Sequence, residues 1–589
     1  MIAASAAAVR DTAMPASRVQ LVSMRRHSIA VAKMRILWLV LGFTFLGLLA
    51  SVRIGFLGLS DRAVAATSLE DALLPPRGEI TDRNGVALAR AFPAYALWFN
   101  PRAMGDDGTP LVKPAPVVAA ELKKIFPSLD KDKTVRLLES GKPGYILRRI
   151  LPDEATLVHT IGEPAIQTPD EPDRHYPQGS MAAHVLGFVG KDDKGHIGME
   201  AVLDERLRNP ALRGEPVALS IDMRVQGALE EELRRGMKLV DAKGAAGIVL
   251  DVDTGEVMAL ASLPEFDPNR VTPTDMAVSE ARHKRGDVPK AFNRVTNQVY
   301  ELGSTFKPLS IAAAIDAGVV RNFGAQWDAT PVKVGRFTIR DSHFLGNALN
   351  VPSTLIHSSN TVTARIADEL GPEKMRQYMI DMGMNQRPHI ELPARGFPIW
   401  PGDKWPRLRN MTVSYGHGVA VTPLHLAGAY AAMVNGGIWR PATLHKLAPG
   451  EAPKGRRVFK ESTSSRMRQL LRAIAIYGTG KNADAPGYRV GGKPGSAEKP
   501  GAGGYRRTEL ISTFAAAFPM DNPRFVVVAM LAEPRGTVAS SFQRTAAWNA
   551  APIVGRLVPR IGPMMGVRPD ATRDVDISDL KPLIPEANR

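Results

Sequence analysis

The chain has 589 residues, 44% hydrophobic and 23% charged, enough for more than one domain and a large core. Its net charge of +16 points to an anionic neighbour such as a membrane surface or an acidic polymer, while no motif or basic run with interleaved aromatics reads nucleic acid. The absence of cysteine removes disulfides, thiolate nucleophiles and Cys-ligated metals together.

Residues 1–35 form a basic leader, with Arg10, Arg18, Arg25, Arg26, Lys33 and Arg35 set against the single acid Asp11. The uncharged run Ile36 to Val52 comes next, and apolar residues continue to Leu59. At about 1.5 Å per residue this is near the shortest helix that spans a bilayer; Arg53 can snorkel. Residues 36–57 are read as an uncleaved anchor. The alternative is a cleaved export signal, for which Ala63-Val64-Ala65 is site-like. Positive charge upstream places the N-terminus in the cytoplasm and the remainder across the cytoplasmic membrane, as a single-pass protein.

Residues 58–215 read as an elongated α+β module. It opens with "RGEITDRNGVALA", Arg77 to Ala89, a hairpin about Asp82-Arg83-Asn84-Gly85. From about Val217 the texture changes. "VALSIDMRVQGALEEEL" reads as a strand, an Asp222 cap and an amphipathic helix. Ala245 to Ser262 reads as two strands about Asp253-Thr254-Gly255, and a helix-rich stretch runs from about 304 to 445. "YRVGGK", "ISTFAAAF" and "RFVVVAML" read as three strands, the last two joined by Met520-Asp521-Asn522-Pro523, and a helix begins near Arg544. This order is not βαβ alternation. It predicts, over residues 216–562, an antiparallel sheet completed by both ends of one domain, with helices packed on it. Residues 563–589 read as a flexible tail.

Candidate chemistry starts in "ELGSTFKPLSIAAAIDAG", Glu301 to Gly318. Ser304 lies near the start of an apolar helix and Lys307 three residues on, so both occupy one face. A buried lysine there is a neutral base near pH 7, and the helix N-terminus favours an oxyanion beside the serine. Pro308 removes the hydrogen bond back to Ser304, so the first turn should be irregular. Alone, this spacing occurs by chance in most long chains, and an N-cap serine with a solvated lysine reads equally well. "IHSSNTVTARIA" then places Ser358 and Asn360 ahead of a helix, where a capping cluster is the competing reading.

A third element lies in "GYRVGGKPGSAEKP", Gly487 to Pro500. Gly487, Gly492 and Lys493 nearly spell a phosphate loop. That motif needs a hydroxyl where Pro494 stands and a helix directly after it, whereas the residues after Pro494 read as loop. His417, between Gly416 and Gly418, reads as structural. Jointly, S-x-x-K, S-x-N and K-x-G in that order are far more specific than any one of them.

With these motifs the chain resembles a class B penicillin-binding protein, the D,D-transpeptidase type that cross-links bacterial peptidoglycan. The likeness spans nearly the whole chain, including "GMEAVLDERL", "VLDVDTGEVMALASLPEFDPN" and "SSNTV", and "SYGHGVAVTPLHLAGAYAAMVNGG", Ser414 to Gly437, resembles the division-specific branch; an elongation-specific relative is the alternative. The resemblance implies a pedestal (dimerisation) domain under a penicillin-binding domain of β-lactamase-like fold. It implies Ser304 as acylated nucleophile, Lys307 as its base, Ser358 as proton relay and Asn360 as the group positioning the donor peptide and Lys307. Lys493, Gly495 and Ser496 would border the substrate carboxylate, and the backbone N–H groups of Ser304 and Ser496 would form the oxyanion hole. No metal or cofactor is implied. Implied partners are stem peptides, β-lactam antibiotics, a septal glycosyltransferase and other division proteins. The family usually has threonine at Pro494. Loss of that hydroxyl reads as tuning, with an inactive division scaffold as the competing reading; the long N-terminal module argues against a β-lactamase, and the single span against a β-lactam sensor with a signalling module inside.

Overall fold

The computed structural model describes residues 16–60, 75–104, 110–171, 173–284, 286–501 and 504–586. The chain divides into two units, Met1–Leu74 and Pro75–Arg589. In the first, helix α1 (Ala16–Ser60) contains the stretch Ile29–Arg53, long and apolar enough to cross a membrane. The expected anchor lies within α1. The site-like Ala63-Val64-Ala65 and residues 1–15 of the basic leader lie outside the described residues.

The second unit opens with the expected hairpin. Strands β1 (Ile80–Thr81) and β2 (Ala87–Phe92) pair antiparallel with Ile80 opposite Ala89. Asp82 shapes the turn by accepting from the N–H groups of Asn84 (2.7 Å) and Val86 (2.8 Å). Strands β3 (Asp173–His175) and β4 (Val217–Ala218) complete the sheet in the order β3-β2-β1-β4, with β4 parallel to β1. The segment read as the start of the second domain is thus hydrogen-bonded to the first. A second small sheet (Tyr95–Phe99, Gly144–Ile150, Ile166–Gln167) packs on three helices around Leu97, Phe99, Leu122 and Val158.

One polar cluster ties this module to helix α2 (Met223–Leu239), and a second holds the module itself together. Asp82 accepts from the Met223 N–H (3.1 Å) and Asn84 donates to Asp222 (3.0 Å), so the hairpin turn caps α2 together with the helix's own N-cap Asp222. Deeper in, Glu200 is fully buried between Arg77 (2.8 Å) and Arg174 (2.7 Å) and accepts from the Tyr176 hydroxyl at 3.3 Å.

The large sheet has the order β6-β5-β11-β10-β9, antiparallel throughout: β5 (Gly244–Asp251), β6 (Val257–Leu263), β9 (Gly491–Gly501), β10 (Gly504–Phe518) and β11 (Phe525–Ala532). Both ends of the domain build it, as the element order predicted. Alternation assigns its faces. Phe514, Ala516, Val527 and Leu531 pack with α2 and α7 (Ala550–Met564). Ala515, Ala517, Val528 and Met530 pack in the core of the helical layer, which includes α3 (Lys307–Asp316), α4 (Asn360–Leu370), α5 (Pro423–Val434) and α6 (Glu461–Tyr477).

Two expectations are corrected. The residues after Pro494 are not loop: β9 continues to Gly501 with a bulge between Glu498 and Lys499, because β10 supplies a partner for each residue. Nor is the C-terminus a loose tail. Ile577, Leu580 and Ile584 are buried in the main core, Asp574 pairs with Arg472 of α6 (2.8 Å), and Asn350 donates to the Leu583 carbonyl (2.6 Å). Three spaced apolar residues in a polar stretch were too weak a periodic signal to reveal this docking.

Replacing Glu200 with alanine leaves Arg77 and Arg174 buried without their shared counter-charge. Loss of one partner from such a network costs about 3–5 kcal/mol. The expected outcome is a large drop in thermal midpoint, measured by calorimetry or circular dichroism, with the hairpin module melting first.

Candidate active site

Ser304 sits half-buried in a 3-10 turn, Gly303–Phe306, that runs directly into α3. The irregular turn expected from Pro308 is present: the Lys307 N–H bonds the Ser304 carbonyl in i→i+3 fashion. In a 3-10 turn the side chains at i and i+3 eclipse, so Ser304 and Lys307 share a face. The turn is held from below by the Tyr430 hydroxyl of α5, which donates to the Thr305 carbonyl at 2.8 Å.

Lys307 is completely buried. Its ammonium nitrogen donates to the Ser358 carbonyl and, at 3.0 Å, to the Ser358 hydroxyl oxygen. Burial pulls its pKa down to about 7, against the opposing charge of Asp341. Lys493, on β9, is also completely buried and reaches the same hydroxyl oxygen at 2.9 Å, with a second bond to the Pro494 carbonyl at 3.0 Å. Burial, then the nearby charge of Lys307, hold Lys493 well below the usual lysine range. Two lysines from distant parts of the chain therefore converge on one serine.

Ser358 meets both because its backbone is left-handed (φ 63°), rare for a residue with a side chain. The next residue, Ser359, caps α4 by accepting from the Val362 N–H at 3.2 Å. Asn360 donates its amide to the Arg340 carbonyl (3.1 Å); among the described residues no bond joins it to Lys307. It lines a cleft of about 630 Å³ with Phe337, Thr412, Tyr415, His417 and Tyr505. His417, read as structural, stands at this cleft wall between the rings of Tyr415 and Tyr505, at 5.3 and 5.9 Å. Burial lowers its pKa, so its neutral form is favoured.

The third motif packs backbone to backbone against the serine turn. A β-carbon on Gly495 would lie 2.5 Å from the Leu302 carbonyl oxygen and 2.7 Å from the Thr305 nitrogen; one on Gly303 would lie 2.9 Å from the Ser496 carbonyl oxygen. Glycine is required at both places, and the backbone of Ser496 is thereby brought beside Ser304. Pro494 pairs with Phe514, and Ser496 with Ser512, on the opposite face of β9 from Lys493. The Ser496 hydroxyl accepts from the Ala546 N–H at 2.9 Å, so its own proton is left to donate. Because β9 is the edge strand, proline is tolerated. A strand here, with no helix directly after Lys493, also removes the phosphate-loop reading.

Sequence reasoning missed two carboxylates. Asp341 holds the N-terminus of α4. Glu301 accepts from the Gly418 N–H (2.7 Å) and the Tyr505 hydroxyl (3.2 Å), bracing the cleft wall. Glu301 stands only three residues before Ser304, close enough to have been noticed. Asp341 carried no local signal, since its contacts are 18 to 20 residues away in sequence.

The site therefore brings together a serine on a 3-10 turn, a buried lysine three residues on, a hydroxyl shared with a second lysine and an edge strand packed against that turn, groups suited to acyl transfer. The comparisons agree with this class. Residues 245–556 match the penicillin-binding protein transpeptidase domain and residues 72–211 the penicillin-binding protein dimerisation domain. The chain is 37% identical to the probable peptidoglycan D,D-transpeptidase FtsI of Caulobacter vibrioides, covering 90% of this chain and 87% of the relative. It is 29% identical to the peptidoglycan D,D-transpeptidase FtsI of Escherichia coli K12, covering 84% of each. A crystal structure of penicillin-binding protein 3 from Mycobacterium tuberculosis complexed with aztreonam superposes with a TM-score of 0.63 at 24% identity, covering 85% of this chain and 99% of that one. The chain belongs to the class B penicillin-binding proteins and is FtsI-like.

Gly495→Ala tests the backbone packing. The added carbon forces β9 and the serine turn apart, and a displacement of about 1 Å at reacting groups costs about 100-fold in rate. The rate of covalent labelling by a labelled penicillin should fall by that order.

Proposed function

We propose that this protein is a peptidoglycan D,D-transpeptidase that cross-links stem peptides at the division septum through a Ser304 acyl-enzyme. The observation that carries this reading is the meeting of Lys307 and Lys493 at the Ser358 hydroxyl, beside the Ser304 turn. The Ser304 hydroxyl attacks the carbonyl of the penultimate D-Ala, and Lys307, as the neutral amine, takes its proton. The backbone N–H groups of Ser304 and Ser496 stabilise the oxyanion. Collapse breaks the peptide bond, and a proton passes through Ser358 to the departing D-Ala amine. An amine from a neighbouring strand then attacks the ester and gives its proton to Lys307, which passes it to the Ser304 oxygen as the ester C–O bond breaks, so Ser304 leaves as the hydroxyl and Lys307 is again the neutral amine. Lys493 and Ser496 hold the terminal carboxylate, and Asn360 orients the donor peptide at the cleft. β-Lactams acylate Ser304 as substrate mimics.

The apolar helix α1 serves as a single membrane anchor, the basic leader cytoplasmic and the catalytic domain periplasmic. A septal glycosyltransferase and other division proteins are the expected partners. The competing reading, an inactive scaffold marked by Pro494, is disfavoured because the proline sits on an edge strand and leaves Lys307 and Lys493 meeting at the Ser358 hydroxyl.

Incubation with a labelled penicillin, with Ser304→Ala as control, decides between them. Covalent label that depends on Ser304 supports the transpeptidase; its absence overturns it. A hydroxyl bonded to a charged group contributes about 1.5–3 kcal/mol, so Pro494→Thr should acylate as fast or up to about 100-fold faster. Marked slowing would show that proline is required.

A further inference from the structure

Asp341 comes directly after strands β7 (Val332–Val334) and β8 (Phe337–Ile339) and the residue Arg340, in a hairpin region outside all three motifs. Its carboxylate accepts four hydrogen bonds from one short segment. One oxygen takes the N–H groups of Asn360 and Thr361, the latter at 3.2 Å; the other takes the hydroxyls of Ser359 (2.8 Å) and Thr361 (2.9 Å). The neighbouring Arg340 carbonyl receives the Asn360 amide. The segment that must hold Ser358 left-handed is therefore fastened from outside by two consecutive residues.

We infer that Asp341 is a positioning residue for the acyl-transfer site: it clamps the start of α4 so that Ser358 faces both lysines, and it sets the electrostatic field at Lys307. The inference rests on the Ser304 acyl-enzyme reading. The charged groups around Lys307 leave this task to Asp341. Lys493 shares the Ser358 hydroxyl oxygen and is itself a potential cation. His417 feels the Lys307 charge and is disfavoured as a cation by it; Glu301 and Glu498 oppose that effect at His417. Asp341 is the carboxylate whose charge opposes the effect of burial on Lys307. A carboxylate fixed at a helix N-terminus also offsets the partial positive charge there, charge that would otherwise face the lysine.

A plain capping role and a field-setting role differ in pH behaviour. The experiment measures the acylation rate of the full-length, detergent-solubilised protein by a labelled penicillin across neutral pH, with thermal unfolding as a folding check. The unsubstituted protein should show an acid limb with a midpoint near 7, where Lys307 becomes neutral. Asp341→Asn removes the negative charge that favours the ammonium, so Lys307 loses its proton more easily. The midpoint should move down, with a lower maximal rate from the disturbed clamp. Asp341→Glu keeps the charge on a longer stem, and should lower the maximal rate while keeping the midpoint. A folded Asn variant with an unchanged or raised midpoint overturns the inference. So does a Glu variant whose midpoint falls, which keeps the test decisive should the Asn variant not fold. Failure of the acyl-enzyme reading has its own signature, label on the unsubstituted protein that does not depend on Ser304, and both would then fall together.

Discussion

The site depends on keeping two lysine head groups out of water within reach of one hydroxyl. An ammonium removed from solvent without a counter-charge costs several kcal/mol, and among the described residues neither Lys307 nor Lys493 has a carboxylate bonded to its nitrogen. Their acceptors are the Ser358 carbonyl and hydroxyl and the Pro494 carbonyl. Such an arrangement favours neutral amines, the form that the proposed base requires. The apolar helix α3, the large sheet and the left-handed turn at Ser358 all serve that dehydration. The turn itself stores about 1–3 kcal/mol of strain, which persists because Ser359, Asn360 and Thr361 are bonded firmly just beyond it.

Much of this was legible in the sequence because the relevant signals are local. The apolar run after Lys307 marked a buried helix, the proline at 308 marked an irregular turn, and two strands before and three after a helical stretch marked a sheet closed by both ends of the domain. Asn84-Gly85 marked its hairpin for the same reason: the turn is specified by residues that touch one another in sequence. What escaped notice depends on partners far along the chain. The strand past Pro494 looked like loop because its glycines and prolines weaken strand propensity, yet β10 lies alongside it residue for residue. Asp341 looked like any loop aspartate, and Ile577, Leu580 and Ile584 like chance hydrophobes.

The same distinction explains Pro494. In sequence it was a broken motif. In the fold its ring lies on the face of Phe514 and Ser512, away from the lysines, and what Lys493 requires of it is its carbonyl oxygen, which proline retains. The substitution therefore alters the face turned away from the lysines and leaves the dehydrated pair undisturbed. The hydroxyl on that face, Ser496, accepts from the Ala546 N–H.

An edge strand beside a groove carries a conflict. Its outer side is unpaired, and an open strand edge is poorly restrained and prone to wrong pairing. Here the restraint is applied at the ends. Just before β9, Arg472 of α6 donates to the Val490 carbonyl (2.8 Å) while pairing with Asp484 and with Asp574 from the C-terminal segment, and Arg489 pairs with Asp521 at 2.7 Å. Toward its far end Lys499 pairs with Glu533 at 2.6 Å. In between, the Gly303–Gly495 backbone contact leaves the strand no room to move toward the serine. The docked C-terminus is thus part of the same solution as the buried lysines: through Arg472 it helps fix the strand that carries Lys493.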